Sequence, residues 1–277
     1  TALYEHALAA MPSHFGTLHM LGVLASQTKD HARAVTLISQ AISINPGDDA
    51  AHNNCGIADL GLGQLDAAIA SFDKALAINS RLAQTHFNRA NALREIGQFD
   101  AAIAGYDRAI ALKPDYISAF VNRGNAFKQK QQLTAAIENY DRAIALKPDL
   151  AEALNNRGLA LKDLRQLVAA VSSFDAAIVN KPDYAEAYNN RGNTLAELHQ
   201  TALAITNYEQ AIRLKPDYAE AYNNYGNALA ELHQTALAIT NYEQAIRLKP
   251  DYAEAHGNLG IAQAEMKQLP GAIESFE

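Results

Sequence analysis

Residues 183–216 have the sequence DYAEAYNNRGNTLAELHQTALAITNYEQAIRLKP, and the next 34 residues, 217–250, repeat it with two substitutions. Tyr225 stands where the first copy has Arg191, and Ala228 stands where it has Thr194. Prolines mark the same period along the chain, with Ser80 in the one slot that lacks proline. They are Pro12, Pro46, Pro114, Pro148, Pro182, Pro216 and Pro250. A fixed period of this length is typical of stacked repeats, so we interpret the chain as a solenoid.

Repeat positions are numbered here so that proline falls at position 32. The 277 residues are then predicted to form one repeat domain with seven complete repeats and two partial ones. The complete repeats are 15–48, 49–82, 83–116, 117–150, 151–184, 185–218 and 219–252, and the partial repeats are 1–14 and 253–277. Because the chain enters and leaves the pattern inside a repeat, we expect it to be a piece of a longer protein or a processed product.

Each repeat is predicted to contain two helices, A and B, which makes the fold class all-α. In the clearest copy, Asp183 and Glu186 form a D-x-x-E pattern that predicts a reciprocal cap at the start of helix A. Helix A is expected to run to about Leu198, and helix B to follow a break at His199–Gln200. Each helix has one apolar stripe at helical spacing, which only a stacked neighbour can bury.

Small and large residues alternate at fixed positions. Position 8 is glycine or alanine, positions 20 and 27 are alanine, and position 24 is a large apolar or aromatic residue in the repeats that reach them. Glycine inside a helix is destabilising by about 0.5–1 kcal/mol relative to alanine. Its recurrence therefore predicts a close approach of the two helices, with the residue at position 24 filling the space.

Composition excludes some classes of partner. The formal net charge is −7, charged residues make up 19% of the chain, and the basic residues form no run. We therefore expect neither nucleic acid nor an anionic membrane as the main partner. No apolar run is long enough to span a bilayer and no signal peptide opens the chain. The single Cys55 allows no disulfide framework, and this count does not decide the compartment. The compartment stays open, with the cytoplasm as the expectation.

A ladder of asparagines follows helix A on the face away from the predicted core. Position 6 contributes Asn54, Asn88, Asn122, Asn156, Asn190, Asn224 and Asn258, and position 9 contributes Asn91, Asn125, Asn193 and Asn227. Position 5 adds Asn53, Asn155, Asn189 and Asn223. Each amide both donates and accepts, which suits the regularly spaced groups of an extended polypeptide backbone. Two alternatives stay open: the amides bond to one another and stiffen the stack, or recent duplication copied them.

Charged residues change along the same face. Position 12 is basic in three successive repeats, as Arg94, Lys128 and Lys162, which offers a site for a ligand carboxylate. Towards the C-terminus the face becomes acidic, with Glu186, Glu220 and Glu254 at position 2 and Glu197, Glu231 and Glu265 at position 13. The alternative is that these are charges on a solvated face.

The sequence predicts no enzyme, no metal and no cofactor. Cys55 falls at position 7, where we expect a small buried residue. His52, His86 and His256 share position 4 in three separate repeats and are expected to pack rather than bind a metal. His199 and His233 occupy the A–B turn and are expected to be solvated.

These positions resemble the tetratricopeptide repeat family, which has a bulky residue at 4, leucine at 7, small residues at 8, 20 and 27, an aromatic at 24 and proline at 32. The resemblance covers the whole chain. It departs from the family at position 4, which lacks tryptophan, and at position 7, which is Arg89, Arg123, Arg157 and Arg191 in the middle repeats. The resemblance implies a right-handed superhelix with A helices lining a concave groove and B helices outside.

A second resemblance concerns the NNxGxAL run. It is similar to the repeats of O-linked N-acetylglucosamine transferase and its bacterial relatives, in which such a ladder holds the substrate polypeptide. It implies a substrate-recruiting arm whose catalytic domain lies outside this sequence. The carboxylate clamp of chaperone-binding repeats needs lysine at position 5 and lysine or arginine at position 6. In this sequence asparagine or apolar residues stand at these two positions in nearly every repeat, so a clamp of this kind is not predicted.

The prediction is therefore a non-catalytic scaffold that binds a protein or peptide in extended conformation. The alternatives are the recruiting arm and an assembly module that associates end to end, because Ala272 and Ile273 leave an apolar stacking face at the end of the chain.

Overall fold

A computed structural model describes residues 13–266, which form helices joined by short turns and contain no strand. The helices are α1 (Phe15–Gln27), α2 (His31–Ile44), α3 (Asp49–Gly61), α4 (Leu65–Ile78), α5 (Ala83–Glu95), α6 (Phe99–Leu112), α7 (Ile117–Gln129), α8 (Leu133–Leu146), α9 (Ala151–Asp163), α10 (Leu167–Asn180), α11 (Ala185–Glu197), α12 (Thr201–Leu214), α13 (Ala219–Glu231), α14 (Thr235–Leu248) and α15 (Ala253–Glu265). Odd-numbered helices are the predicted A helices and even-numbered ones the B helices. The all-α repeat fold is confirmed.

The chain divides into two compact units, Thr1–Arg142 and Ala143–Glu277, with the boundary inside α8. In the first unit, α1 to α7 pack in chain order, each on the next, and in the second unit α9 to α15 do the same. The single repeat domain stays a prediction. The greater part of the partial repeat 1–14, and the terminal stacking face at Ala272 and Ile273, lie outside the described residues.

The turn between helices A and B has the same backbone in every complete repeat. Position 15 adopts a left-handed φ, which is 71° at Gly63 and 79° at Gly97 but also 58° at His199. After α11, the Gln200 N–H donates to the Leu195 carbonyl at 2.9 Å, and the His199 N–H donates to that of Ala196 at 2.9 Å. These are the two bonds of a Schellman motif, which ends the helix. The predicted break is thus confirmed, and His199 and His233 are exposed as expected.

The predicted reciprocal cap at the start of helix A is wrong. Helix α11 begins at Ala185, its N-cap is Tyr184, and no side chain bonds to the cap. Asp183 lies one residue before the N-cap, where its side chain does not take the capping bond. Asp48 shows the contrast, because it is itself the N-cap of α3 and accepts from the Ala51 N–H at 2.7 Å.

The predicted close approach of helices is confirmed at position 8. A Cβ placed on Gly226 would lie 2.4 Å from Cε1 of Tyr242, and one on Gly192 would lie 2.6 Å from that of Tyr208. The alanines at positions 20 and 27 are fully buried beside these contacts; they are Ala34, Ala68, Ala102, Ala136, Ala170, Ala204 and Ala238, and Ala41, Ala75, Ala109, Ala143, Ala177, Ala211 and Ala245.

The third repeat reverses this arrangement. It has Ala90 at position 8, and the facing position 23 is Gly105, whose added Cβ would lie 2.9 Å from the Ala90 Cβ. In this repeat the glycine therefore stands on helix B, and the alanine on helix A.

Arginine at position 7 joins neighbouring repeats. Arg191 donates to Asn207 of its own repeat at 2.7 Å and forms an ion pair with Asp175 of the preceding repeat. Arg123 bonds to Asn139 and Asp107 in the same way, and Arg89 pairs with Asp73 at 2.6 Å. The departure from leucine at position 7 is thus matched by an acid at position 25 of the repeat before.

Candidate functional site

The position-6 asparagines of the second unit form a chain of amide–amide hydrogen bonds across the joints between repeats. Nδ2 of Asn190 donates to Oδ1 of Asn155 at 3.0 Å, and Nδ2 of Asn224 donates to Oδ1 of Asn189 at 3.0 Å. Nδ2 of Asn258 donates to Oδ1 of Asn223 at 2.9 Å. It also donates to Oδ1 of Asn227, the position-9 asparagine in the repeat of Asn223. The accepting side chains at position 5 are buried, while those at position 6 are half-buried.

The first unit has a less regular ladder because position 5 changes identity. Asn54 bonds to His19 at 2.9 Å. Phe87 occupies position 5 of the third repeat, so Asn122 donates instead to the position-9 amide of Asn91, at 2.9 Å. Asn88 accepts from Gln84 within its own helix at 2.9 Å. Asn156, at the start of the second unit, is half-buried on α9.

The position-9 asparagines hold the hydroxyls of buried tyrosines. Tyr208 donates to Asn193 at 2.8 Å and Tyr242 to Asn227 at 2.9 Å. The same pairing joins Tyr106 to Asn91 and Tyr140 to Asn125, at 2.7 Å each. These four amides, predicted as ligand contacts, thus also satisfy a polar group of the core.

The sequence carries a signal for this pairing that the pattern analysis missed. Repeats with Phe or Ile at position 24 have an apolar residue at position 9, as in Phe174 with Leu159 and Phe72 with Ile57. Asparagine at position 9 occurs only with tyrosine at position 24.

Some hydrogen-bonding capacity of the ladder remains available to a ligand. Within residues 13–266, no side chain or backbone N–H donates to Oδ1 of Asn190 or of Asn224. Each of these Nδ2 atoms also carries a second hydrogen, since an amide nitrogen has two. One acceptor and one donor are therefore left on this face in each of the sixth and seventh repeats.

A cavity of about 200 Å³ opens on the same face in the second unit. It lies at the joint of the sixth and seventh repeats and brings together three of the predicted amides with one carboxylate. Its lining is Asn193, Ala196, Tyr208, Asn224, Asn227, Ala228 and Glu231.

Two of the three basic residues at position 12 have described surroundings within their own unit. Arg94 and Lys128 belong to the first unit and Lys162 to the second. Lys162 Nζ lies 3.7 Å from Oε1 of Glu197, so the protein already provides this cation with a counter-charge. Arg94 lies beside the Tyr106 phenol; burial raises the pKa of Tyr106 to about 12, and the Arg94 charge opposes that rise.

The acidic residues near the C-terminus have partners of several kinds. Glu186 lies 3.3 Å from Lys215 Nζ, Glu254 accepts from Asn223 at 3.0 Å, and Glu231 accepts from the Thr201 hydroxyl at 3.1 Å. Burial, and then the Glu265 and Glu254 carboxylates, raise the pKa of Tyr242 to about 12. The Tyr242 phenol therefore lies within the influence of two carboxylates.

The histidines at position 4 connect a repeat to the one before it. His52 and His256 bond through Nε2 to the carbonyls of Pro46 and Pro250, at 3.0 Å each. His86 bonds to Ser80, which stands in the proline slot, at 3.1 Å. These histidines stand at position 4, where the family has a bulky residue. Each adds a hydrogen bond to the preceding repeat that was not predicted from the sequence.

Cys55 is buried as expected, beside a carboxylate that the sequence analysis did not single out. Its Sγ lies 3.8 Å from Oδ2 of Asp59, which also accepts from the Ser71 hydroxyl at 3.1 Å. Burial and the Asp59 charge raise the pKa of the Cys55 thiol, so little thiolate forms at neutral pH.

Between residues 13 and 266, no three His, Cys, Asp or Glu side chains lie close enough together to hold a metal ion. None of the helices in this range combines the length and the apolar character that a bilayer crossing requires.

Helical hairpins with a period of 34 residues, stacked through small residues, define a repeat scaffold. A family model described as TPR repeat matches residues 90–131, 124–164, 195–233 and 226–267, and one described as tetratricopeptide repeat matches residues 15–48 and 51–81. Together these cover well over half of the sequence. The chain belongs to the tetratricopeptide repeat family.

Solved structures share the fold. A tetratricopeptide repeat protein from Parabacteroides merdae is 18% identical with a TM-score of 0.70, and the match covers 90% of this chain and 98% of that one. A chain in the crystal structure of the APC/C hetero-tetramer Cut9-Hcn1 is 18% identical, with a TM-score of 0.68. The match covers 94% of this chain and 51% of that chain, so this chain spans about half the length of its match. YrrB, described as a TPR protein with an unusual peptide-binding site, is 24% identical, with a TM-score of 0.54. The match covers 72% of this chain and 98% of the YrrB chain. No curated protein matches the sequence.

Proposed function

We propose that this chain is a non-catalytic scaffold whose A-helix face binds a polypeptide in extended conformation. The observation that carries the proposal is the position-6 ladder, in which Asn190 and Asn224 are held by one amide bond and keep a free Oδ1. An extended backbone presents an N–H and a C=O at regular intervals and pairs with such groups without regard to side-chain identity.

The amide–amide bonds support this function instead of competing with it. They fix the orientation of each position-6 side chain before a ligand arrives, which lowers the entropic cost of binding. YrrB, a structural neighbour, is named for a peptide-binding site, which is consistent with polypeptide binding by this fold.

Asparagine at position 6 in seven successive repeats also favours a second candidate, the recruiting arm of a transferase similar to O-linked N-acetylglucosamine transferase. In that case the same face binds the substrate polypeptide, and a glycosyltransferase domain follows in the parent gene. End-to-end association is the other proposal that the sequence raises. Light scattering over a range of concentrations tests it, and a constant monomer mass rules it out.

The test uses a library of short unstructured peptides selected against the wild-type protein. A variant with Asn190→Ala, Asn224→Ala and Asn258→Ala removes the three amides that donate across the joints of the second unit. A matched control with Thr206→Ala and Thr240→Ala changes exposed residues of the B helices. Circular dichroism confirms that all three proteins are equally helical.

We expect the ladder variant to lose at least about tenfold in affinity for the selected peptides, since each lost hydrogen bond contributes about 1 kcal/mol. The control is expected to bind like the wild type. Equal affinities for the ladder variant and the wild type would contradict the proposal, as would a selection that yields no binding peptide.

A further inference from the structure

The joint between the fifth and sixth repeats holds a cation that the chain itself supplies. Lys162 Nζ lies 3.7 Å from Oε1 of Glu197, and a guanidinium nitrogen of Arg165 lies 2.7 Å from Oε2 of the same carboxylate. The lysine side chain is largely covered, with 23% of it exposed. At this joint the position-13 glutamate is neutralised from within the protein.

The next joint has the same glutamate without the cations. Glu231 occupies position 13 of the seventh repeat, and the residues that correspond to Lys162 and Arg165 are Ala196 and His199. Among the described residues, no Lys, Arg or His forms an ion pair with Glu231. Its oxygen Oε2 accepts from the Thr201 hydroxyl, at 3.1 Å.

The cavity lies where the lysine is missing. Ala196 and Glu231 both line it, together with Tyr208, Asn224 and Ala228, and its volume is about 200 Å³. In the preceding joint, position 12 is Lys162 instead of Ala196. The Lys162 side chain extends from there to Glu197, which corresponds to Glu231. The cavity thus occupies the space that a lysine side chain would fill if the sixth repeat, like the fifth, had lysine at position 12.

We propose that this cavity binds a lysine side chain of the polypeptide ligand, with Glu231 as its counter-ion. The inference rests on the proposed function and adds a specificity to it. The ammonium group donates to the free oxygen of Glu231 and to Oδ1 of Asn224, while the methylene stem lies against Tyr208 and the two alanines. Asn224 thereby connects backbone binding on the ladder with recognition of one side chain.

The electrostatics of the surrounding groups agree with a cationic ligand. Burial, followed by the charges of Glu197 and Glu231, raises the pKa of the Tyr208 phenol that faces the cavity. Two further cations of the second unit pair with other acids, Lys215 with Glu186 and Arg191 with Asp175. A ligand lysine therefore meets an uncompensated carboxylate beside two half-buried amides.

The test measures the affinity of selected peptides in matched pairs that carry either lysine or Nε-acetyl-lysine. Acetylation removes the charge and keeps the stem. Two variants address the cavity: Glu231→Gln removes the counter-ion at constant shape, and Ala196→Lys restores the internal lysine of the preceding joint. A third variant, Thr206→Lys, adds the same charge on an exposed position of helix α12 and serves as the control.

We expect selection against the wild type to enrich lysine, and acetylation to weaken binding by about tenfold, the contribution of one charge-assisted hydrogen bond. Glu231→Gln and Ala196→Lys are expected to abolish this preference, whereas Thr206→Lys keeps it. Ala196→Lys is also expected to raise the melting temperature, because its side chain fills the cavity and pairs with Glu231.

The outcomes separate this inference from the proposed function. If peptides bind in a ladder-dependent way with no preference for lysine over acetyl-lysine, the inference is overturned and the function stands. A loss of the preference in Thr206→Lys as large as in Ala196→Lys overturns it as well, because the effect is then long-range charge. If no peptide binds, both are overturned.

Discussion

Tyr208, in helix α12, donates its hydroxyl hydrogen to Oδ1 of Asn193, at 2.8 Å, on the face of helix α11 that we assign to ligand binding. The tyrosine is 2% exposed and the asparagine is half-buried. The same pair recurs at Tyr106, Tyr140 and Tyr242. The core and the amide ladder are thus connected by one hydrogen bond in each of these repeats.

This pair predicts a non-additive response to mutation. Asn193→Leu leaves the Tyr208 hydroxyl buried without an acceptor, so we expect it to destabilise the protein by about 1–3 kcal/mol. The double variant Tyr208→Phe/Asn193→Leu recreates the combination found at Phe174 and Leu159 and is expected to regain most of that loss. Thermal and urea unfolding of the four proteins in the cycle measure the coupling. Additive effects would show that the hydrogen bond is not the source.

The close contact at position 8 predicts that two Gly→Ala substitutions, one at this position and one elsewhere in a helix, change stability in opposite directions. Gly226→Ala places a methyl group 2.4 Å from the buried ring of Tyr242, and we expect a loss of about 1–3 kcal/mol from overpacking. Gly257→Ala is the matched control, because a Cβ at Gly257, also inside a helix, meets no atom within 4 Å. That variant is expected to gain about 0.5–1 kcal/mol from helix propensity. The same sign for both changes in melting temperature would contradict the packing argument.

The left-handed turn predicts a stabilising substitution. His199 has a φ of 58°, which is costly for a residue with a Cβ, so His199→Gly is expected to stabilise by about 0.5–1 kcal/mol after the entropy of glycine is subtracted. Gln200→Gly, at a φ of −99°, gains nothing from the backbone and is expected to destabilise. Melting temperatures of the two variants test the difference, and equal shifts would refute it.

Asp59 predicts a pH dependence in the first unit. Burial raises the pKa of this carboxyl above its ordinary value of 3.8, against hydrogen bonds from Ser71 and Cys55 that lower it. The folded state therefore holds the proton more tightly than the unfolded state, and stability falls as the pH rises through the folded-state pKa. Asp59→Asn keeps an oxygen acceptor and loses the titration. We expect it to melt higher than wild type at pH 7, with the difference vanishing at acid pH.

Much of this fold was predictable because one 34-residue pattern occurs in seven complete repeats and two partial ones. Gly192 and Tyr208, for example, were expected to face each other, and the structure places them in contact. The predicted cap at Asp183 and Glu186 failed because the helix starts at Ala185, and a pattern does not determine the N-cap residue to within one position.

The candidate site was predictable in outline only. Position 6 was identified, but its bonds depend on the neighbour at position 5, which is Asn189 in one joint and Phe87 in another. The cavity depends on the absence of a side chain at Ala196 beside the charge of Glu231. Both features arise where two repeats meet, so a pattern within one repeat does not reveal them.

The most direct test of the central claim is nuclear magnetic resonance of the asparagine side-chain amides during addition of a selected peptide. The account predicts that the Nδ2 hydrogens of Asn190, Asn224 and Asn258 shift in proportion to bound peptide. It predicts that Asn180 and Asn241, which bond to the backbone of their own B helices, do not shift. Shifts confined to the B-helix amides, with the position-6 signals unchanged, would contradict the account.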